Sequence, residues 1–90
     1  MARVYKYPIT GKIELPKGSK ILSVHSKCDG NFLYVQVPDN ETEVEPHFFR
    51  VLPTGVQFDD TGCTYIGSVI EDDYYIYHIY EVDAQQVFGD

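Results

Sequence analysis

The stretch from Asp73 to Val82 most constrains how this 90-residue chain folds. It contains four of the eight tyrosines and two isoleucines, with no glycine or proline. This density of aromatic and β-branched residues predicts a strand rather than a helix. Because both alternating sets of side chains are largely apolar, we expect a strand that is covered on both faces and lies inside a sheet rather than at an edge.

A β-hairpin is predicted around Asp29-Gly30, which separates the apolar stretches Lys20 to Cys28 and Asn31 to Val37. Asp-Gly favours a two-residue type I′ turn, in which both central residues have positive φ. A loop formed by Asp29 and Gly30 sets the pairing register and creates one apolar face. The expected apolar members are Leu22 opposite Val37, Val24 opposite Val35, and Leu33. The expected polar pairs are His25 with Tyr34 and Ser23 with Gln36.

The rest of the chain also consists of short strand patterns separated by turn residues. Further strands are expected at Arg3 to Tyr7, Ile9 to Leu15, His47 to Leu52 and Cys63 to Ile70, with a bulge or close backbone approach at Gly67. Ala84 to Phe88 adds one helical turn or forms a tail. This pattern predicts a single domain over 1–90 of the all-β class, an antiparallel small barrel or two-layer sandwich of about six or seven short strands.

Charge and hydropathy restrict the partners. The formal net charge is −7, from 7 basic and 14 acidic residues, which argues against binding duplex nucleic acid through its phosphates. It is compatible with a basic protein partner or simply with solubility. No apolar segment is long enough to cross a membrane, and the first ten residues lack the core of a signal peptide. Cys28 and Cys63 are expected to be free thiols of a cytosolic protein.

The sequence contains no recognisable catalytic or metal-binding arrangement. His25 and Cys28 are three apart on a predicted strand, so they point to opposite faces and do not converge on one ion. His78 is expected to be a packed or hydrogen-bonded strand residue. No cysteine or serine has the sequence context of a nucleophile. We therefore predict no catalytic residues, no metal site, no cofactor and no enzymatic activity.

The acidic residues of the loops and turns are the candidate partner-binding residues. Alone, each acidic loop is most simply a solvated loop. If the fold brings these turns together, they form a negatively charged contact surface. The candidates are Asp39, Glu41, Glu43, Glu45, Asp59, Asp60, Glu71, Asp72 and Asp73.

Several motifs in this chain are similar to those of one protein family. They are Lys6-Tyr7-Pro8, the run from Leu15 to Gly18, the run from Lys20 to Val24, Phe49-Arg50-Val51 before Thr54-Gly55, the run from Tyr65 to Val69, and the run from His78 to Glu81. In these features the chain resembles a family of short, uncharacterised proteins encoded by tailed bacteriophages and prophages. The resemblance implies no known activity or catalytic residue, and Val82 to Asp90 extend beyond the usual end of the family.

The resemblance and the acidic charge together favour a small phage accessory protein that acts in the host bacterial cytoplasm. It is expected to bind and modulate a bacterial host protein, such as a component of an antiviral defence system. One alternative is a protein that binds a small nucleotide signal, with a tyrosine stacking on the base and a basic residue meeting the phosphate. Another is a minor virion or assembly component that forms a homo-oligomer through its sheet edges.

Overall fold

A computed structural model describes residues 1–83 as seven β-strands in two sheets, which confirms the all-β prediction. The expectation for Ala84 to Phe88 lies outside the described residues, as does most of the segment from Val82 to Asp90. The strands are β1 (Ala2–Pro8), β2 (Lys12–Pro16), β3 (Lys20–Lys27), β4 (Gly30–Pro38), β5 (Val44–Pro53), β6 (Cys63–Glu71) and β7 (Tyr75–Val82).

The architecture is a two-layer sandwich and not a closed barrel. Sheet A has the strand order β1-β4-β3, and sheet B has the order β2-β5-β7-β6. Every pair of neighbouring strands is antiparallel. Apolar side chains from the inner faces of both sheets form one shared core. Its buried members are Ile13, Leu15, Val24, Leu33, Val35, Val37, Phe49, Val69 and Ile79.

The tyrosine-rich strand lies inside sheet B, as predicted, because β7 pairs with β5 on one side and β6 on the other. Ile79 is fully buried in the core. On the opposite face, the ring of Phe58 packs against Tyr80 at a centroid distance of 5.3 Å. The cover is incomplete at the start of β7, where Tyr75 and Ile76 are exposed. The reason is that β5 ends at Pro53, opposite Tyr77, and does not reach these two residues.

The β3–β4 hairpin forms, but its predicted register is wrong by two residues. Lys27 pairs with Gly30, so the loop is Cys28-Asp29, and Val24 lies opposite Leu33. Of these residues only Gly30 has a positive φ, 134°, so the turn is not of type I′. Because side chains alternate with period two, the displacement leaves the same β4 residues facing the core.

Leu22 is the one member of the predicted apolar face that the structure places elsewhere. The register shifts between Ile21 and Ser23, which makes Leu22 the extra residue of a β-bulge. Ile21 instead lies opposite Val35 and packs against the core. Leu22 is 51% exposed, because a one-residue insertion turns the side chain to the other side of the strand.

Gly67 shows both features that the sequence predicts. The register of β6 shifts between Tyr65 and Gly67, which places a bulge at Ile66. A Cβ atom on Gly67 would lie 2.8 Å from Cγ2 of Val24 in sheet A. This close approach joins the two edge strands β3 and β6 across the sandwich.

Candidate functional site

A cluster of exposed apolar side chains lies at the end of the β6–β7 hairpin, residues 70–76, which we call the β6–β7 tip. Tyr74 is 79% exposed, Ile70 56%, Tyr75 55% and Ile76 44%. The rings of Tyr74 and Tyr75 contact each other edge to face at 4.9 Å, and Ile70 lies directly opposite Ile76. Four large apolar side chains thus project into solvent from one hairpin end.

The turn of this tip is formed by two aspartates in the left-handed region. Asp72 has a φ of 56° and Asp73 a φ of 54°, and the N–H of Tyr74 donates to the carbonyl of Glu71 at 3.1 Å. Positive φ at both central residues is the property of a type I′ turn. Aspartate tolerates this conformation better than most residues other than glycine and asparagine. Both carboxylates are therefore held at the end of the hairpin.

The carboxylates of the tip are not neutralised by neighbouring cations. Within residues 1–83, Glu71, Asp72 and Asp73 make no salt bridge. Together with Ile70 they line one side of a groove of about 460 Å³, whose other side is the β3–β4 turn. Lys27 belongs to that other side, but its ammonium interacts with Tyr34, and this hydrogen bond raises the pKa of Lys27.

The acidic loop before β5 is organised differently, because its carboxylates have local partners. Asp39 lies 3.5 Å from Arg3, and Glu43 lies 3.7 Å from Lys17. Glu41 accepts a hydrogen bond from the N–H of Glu43. These contacts compensate much of the charge of the loop within the protein itself.

Glu45 belongs to β5, where it lies near a half-buried histidine. One carboxylate oxygen of Glu45 is 3.7 Å from Nε2 of His47, and Nδ1 of His47 is 2.6 Å from Oε2 of Glu81. His47 thus connects β5 to β7 between two carboxylates. Within residues 1–83, no three histidine, cysteine, aspartate or glutamate side chains are grouped as a metal ion requires.

Asp59 and Asp60 lie in the loop that covers the base of the β6–β7 hairpin. Oδ1 of Asp59 accepts a hydrogen bond from the N–H of Thr61 at 3.0 Å. Hydrogen bonds from the side chain and the N–H of Thr61 lower the pKa of Asp59. The carbonyl of Asp60 accepts from the N–H of Cys63, which attaches the loop to the start of β6.

The fold therefore brings only three of the nine candidate carboxylates to the tip. β6 runs from Cys63, beside Asp60, to Glu71, which is roughly 26 Å at about 3.3 Å per residue. Asp39 follows the end of β4 that is distant from Gly30, and Gly30 lines the groove at the tip. The acidic turns occupy opposite ends of the sandwich, and their role in binding stays a prediction.

A row of hydroxyl groups around His78 extends from the tip along the outer face of sheet B. Nδ1 of His78 lies 2.8 Å from Oγ of Ser68, whose oxygen is 2.7 Å from the hydroxyl of Tyr65. Nε2 of His78 lies 2.8 Å from Oγ1 of Thr54. Both ring nitrogens are thus occupied by hydroxyls, whereas in a Ser-His-Asp triad a carboxylate orients the histidine. His78 is a hydrogen-bonded strand residue, as predicted, but the sequence contains no local signal for its partners, which lie on β6 and directly after β5.

Comparison with known proteins adds a family assignment. Residues 1–88 match a protein family described as Domain of unknown function (DUF7352). The match includes Val82 to Phe88, so the expectation that the chain extends beyond the family after Glu81 does not hold for this family. No curated protein and no solved structure matches the chain. Residues 1–83 contain no helix that is long and apolar enough to cross a membrane.

Proposed function

We propose that this chain, which belongs to the family described as Domain of unknown function (DUF7352), is a phage accessory protein that binds a bacterial host protein. The binding surface in this proposal is the β6–β7 tip, and the place of action is the host bacterial cytoplasm. The phage assignment rests on the sequence resemblance described above. Binding that blocks a component of an antiviral defence system is the role we propose for the complex.

The observation that carries the proposal is the composition of the tip. Exposed tyrosine and isoleucine side chains lie beside carboxylates that make no salt bridge within residues 1–83. Tyrosine is enriched among the residues that contribute most to protein interfaces, and clustered exposed apolar side chains are typical of interaction sites. A bordering rim of charge adds specificity and increases the rate of association with an oppositely charged surface. The tip therefore suits a partner surface with an apolar centre and a basic rim.

The same charges disfavour a second copy of this chain as the occupant of the tip. A symmetric contact between two tips would bring Glu71, Asp72 and Asp73 of both copies into one interface. Like charges in contact oppose association. The tip therefore favours a partner other than this chain.

The test is capture of a host protein from bacterial lysate with variants of the tip. Tagged Tyr74→Ala and Asp72→Asn/Asp73→Asn are compared with the wild type. Asparagine also adopts positive φ, so the double variant removes two charges while the turn is kept. The bound protein is identified by mass spectrometry, and its affinity is then measured with purified components.

Matched control variants make this test specific. Tyr5→Ala removes an exposed tyrosine on β1, and Glu41→Gln/Glu43→Gln removes two charges from the loop before β5. We expect Tyr74→Ala to weaken binding about tenfold or more. The charge variant of the tip should weaken binding less, and both control variants should bind within about twofold of the wild type. Equal losses in the tip and control variants, or no host protein captured by the wild type, would refute the proposal.

A further inference from the structure

The charged residues on the outer face of sheet A are lysines, whereas those of the tip are carboxylates. Side chains on this face point away from the core, because Leu33, Val35 and Val37 occupy the inner face of β4. Residues directly opposite each other in an antiparallel sheet share a face, so the register identifies its members. They are Val4, Lys6 and Pro8 of β1, Lys20, Ser23, His25 and Lys27 of β3, and Phe32, Tyr34 and Gln36 of β4. We call this set the sheet A face.

The aromatic rings of the sheet A face lie on its central strand, with cations on both sides. Nζ of Lys6 lies 4.6 Å from the centroid of Phe32, and Nζ of Lys27 lies 5.9 Å from that of Tyr34. His25 contacts Tyr34 edge to face at 5.1 Å. Phe32 is buried beneath its neighbours, whereas Tyr34 is only half-buried. Tyr34, next to His25, is therefore the ring that an incoming planar group can reach.

The three lysines of this face have no salt-bridge partner within residues 1–83. The carboxylate that acts on Lys27 is Asp29, in the adjoining turn. Lys20 and Lys27 are separated by roughly 20 Å at about 3.3 Å per residue of strand. A chain of net charge −7 thus has one face on which the charged residues are cations.

The remaining cations of the chain have partners elsewhere. Arg3, Lys12 and Lys17 pair with Asp39, Glu14 and Glu43. Arg50 donates to the carbonyl of Asp59 and lies over the ring of Phe58. The unpaired lysines are therefore grouped on a single face and are not scattered at random.

We propose that the sheet A face binds single-stranded nucleic acid, with Lys6, Lys20 and Lys27 meeting phosphates and Tyr34 stacking on a base. Proteins that bind single strands combine a positive surface along the backbone with aromatic rings on an open sheet, because every base has a stacking face. The lysines span more than one phosphate, so an oligonucleotide fits this face better than a single nucleotide. This face adjoins the groove at the tip through Lys27, but the inference does not depend on the function proposed above.

The net negative charge of the chain does not prevent this binding. The unpaired carboxylates Glu71, Asp72 and Asp73 lie at the tip, in the other sheet. Packed sheets are about 10 Å apart, and the Debye length is about 8 Å at physiological ionic strength. Phosphates at Lys6 and Lys20 are therefore largely screened from these charges, whereas a phosphate at Lys27 lies beside the groove that Glu71, Asp72 and Asp73 line.

The test is fluorescence anisotropy of labelled 12-nucleotide oligo-dT and oligo-U titrated with the full chain in 100 mM salt. Lys6→Gln/Lys20→Gln/Lys27→Gln removes the three cations of the face. Arg3→Gln/Lys12→Gln/Lys17→Gln removes three cations that are elsewhere and paired, so both variants have the same net charge. Circular dichroism checks that each variant is folded. Tyr34→Leu removes the stacking ring while an apolar side chain is kept.

We expect the sheet A face variant to bind about tenfold or more weakly than the wild type, and the control variant to stay within about twofold of it. Tyr34→Leu is expected to weaken binding about fivefold or more. No anisotropy change with the wild type would overturn the proposal, and so would equal losses in the two triple variants. Equally tight binding of polyglutamate would show that the face recognises negative charge alone, which also overturns it.

Discussion

The two hairpins β3–β4 and β6–β7 have similar backbone features, but their exposed charged residues have opposite signs. Each has an edge strand with one β-bulge, at Leu22 and at Ile66, and the two edge strands meet where Val24 contacts Gly67. The first hairpin contributes lysines without carboxylate partners, and the second contributes carboxylates without cation partners. The net charge of −7 therefore describes neither surface. Strand alternation within a sheet, rather than overall composition, decides which charges are neighbours.

The largest losses of stability are expected from substitutions at the buried residues that each hairpin contributes to the core. Leu33 in β4 and Ile79 in β7 are fully buried, so Leu33→Ala and Ile79→Ala should each lower the free energy of unfolding by about 2–5 kcal/mol. Leu22→Ala and Ile76→Ala remove exposed side chains of the same hairpins and should cost less than about 1 kcal/mol. Urea unfolding measures all four variants. Similar losses for buried and exposed positions would contradict the assigned faces.

The next largest loss of stability is expected from a substitution at the contact between the two hairpins. Gly67→Ala adds a Cβ atom that would lie 2.8 Å from Cγ2 of Val24, and such overpacking should destabilise the protein by about 1–3 kcal/mol. Gly11→Ala is the control, because a Cβ there has no heavy atom within 4 Å. In Gly67→Ala/Val24→Ala the total loss should be smaller than the sum of the single losses. Additive losses would show that the two strands are not in contact at this point.

Glycine should be favourable in the turns of both hairpins, so removing it from the first turn and adding it to the second should have opposite effects on stability. Gly30 has a φ of 134°, so Gly30→Ala should lower stability by about 1 kcal/mol or more. Asp73 has a φ of 54°, and Asp73→Gly creates the Asp-Gly pair that type I′ turns favour. We expect Asp73→Gly to raise the free energy of unfolding, measured by thermal unfolding, by about 0.5–1 kcal/mol. This value already includes the loss caused by the greater entropy of glycine in the unfolded chain. A loss of stability would contradict the left-handed turn.

The smallest effect concerns the loop at the base of the β6–β7 hairpin. The hydrogen bonds from Thr61 lower the pKa of Asp59, so folding is favoured by the ionised carboxylate. The stabilisation is fully present above the unfolded pKa of about 3.9 and is lost as the pH falls through the lower folded pKa. NMR titration of the Asp59 carboxyl should give a midpoint below that value. Asp59→Asn should remove this part of the acid dependence in urea unfolding at pH 7 and pH 3, and an unchanged profile would contradict it.

The candidate surfaces were only partly predictable. Glu71, Asp72 and Asp73 were predictable as candidates, but only together with six carboxylates that the fold holds at the other end of the sandwich or pairs with cations. The exposure of Tyr74 was not predictable, because a run of tyrosines has the same pattern whether the rings are buried or not. The sheet A face was also not predicted. Lys6 lies on β1, whereas Lys20 and Lys27 lie on β3, and no local signal in the sequence shows that these two strands flank β4 in one sheet.

Local signals in the sequence determined the all-β class, the interior position of β7 and the bulge with close approach at Gly67. Strand propensity, alternation and the absence of a side chain act over a few residues and do not depend on the partner strand. The tertiary structure decided the register of the β3–β4 hairpin, the bulge at Leu22 and the separation of the charges. A displacement of two residues preserves the alternation of inner and outer side chains, so the apolar pattern is the same in either register. The two registers differ in the residues of the turn and in the cross-strand pairs, such as Val24 with Leu33, which form only when the hairpin folds.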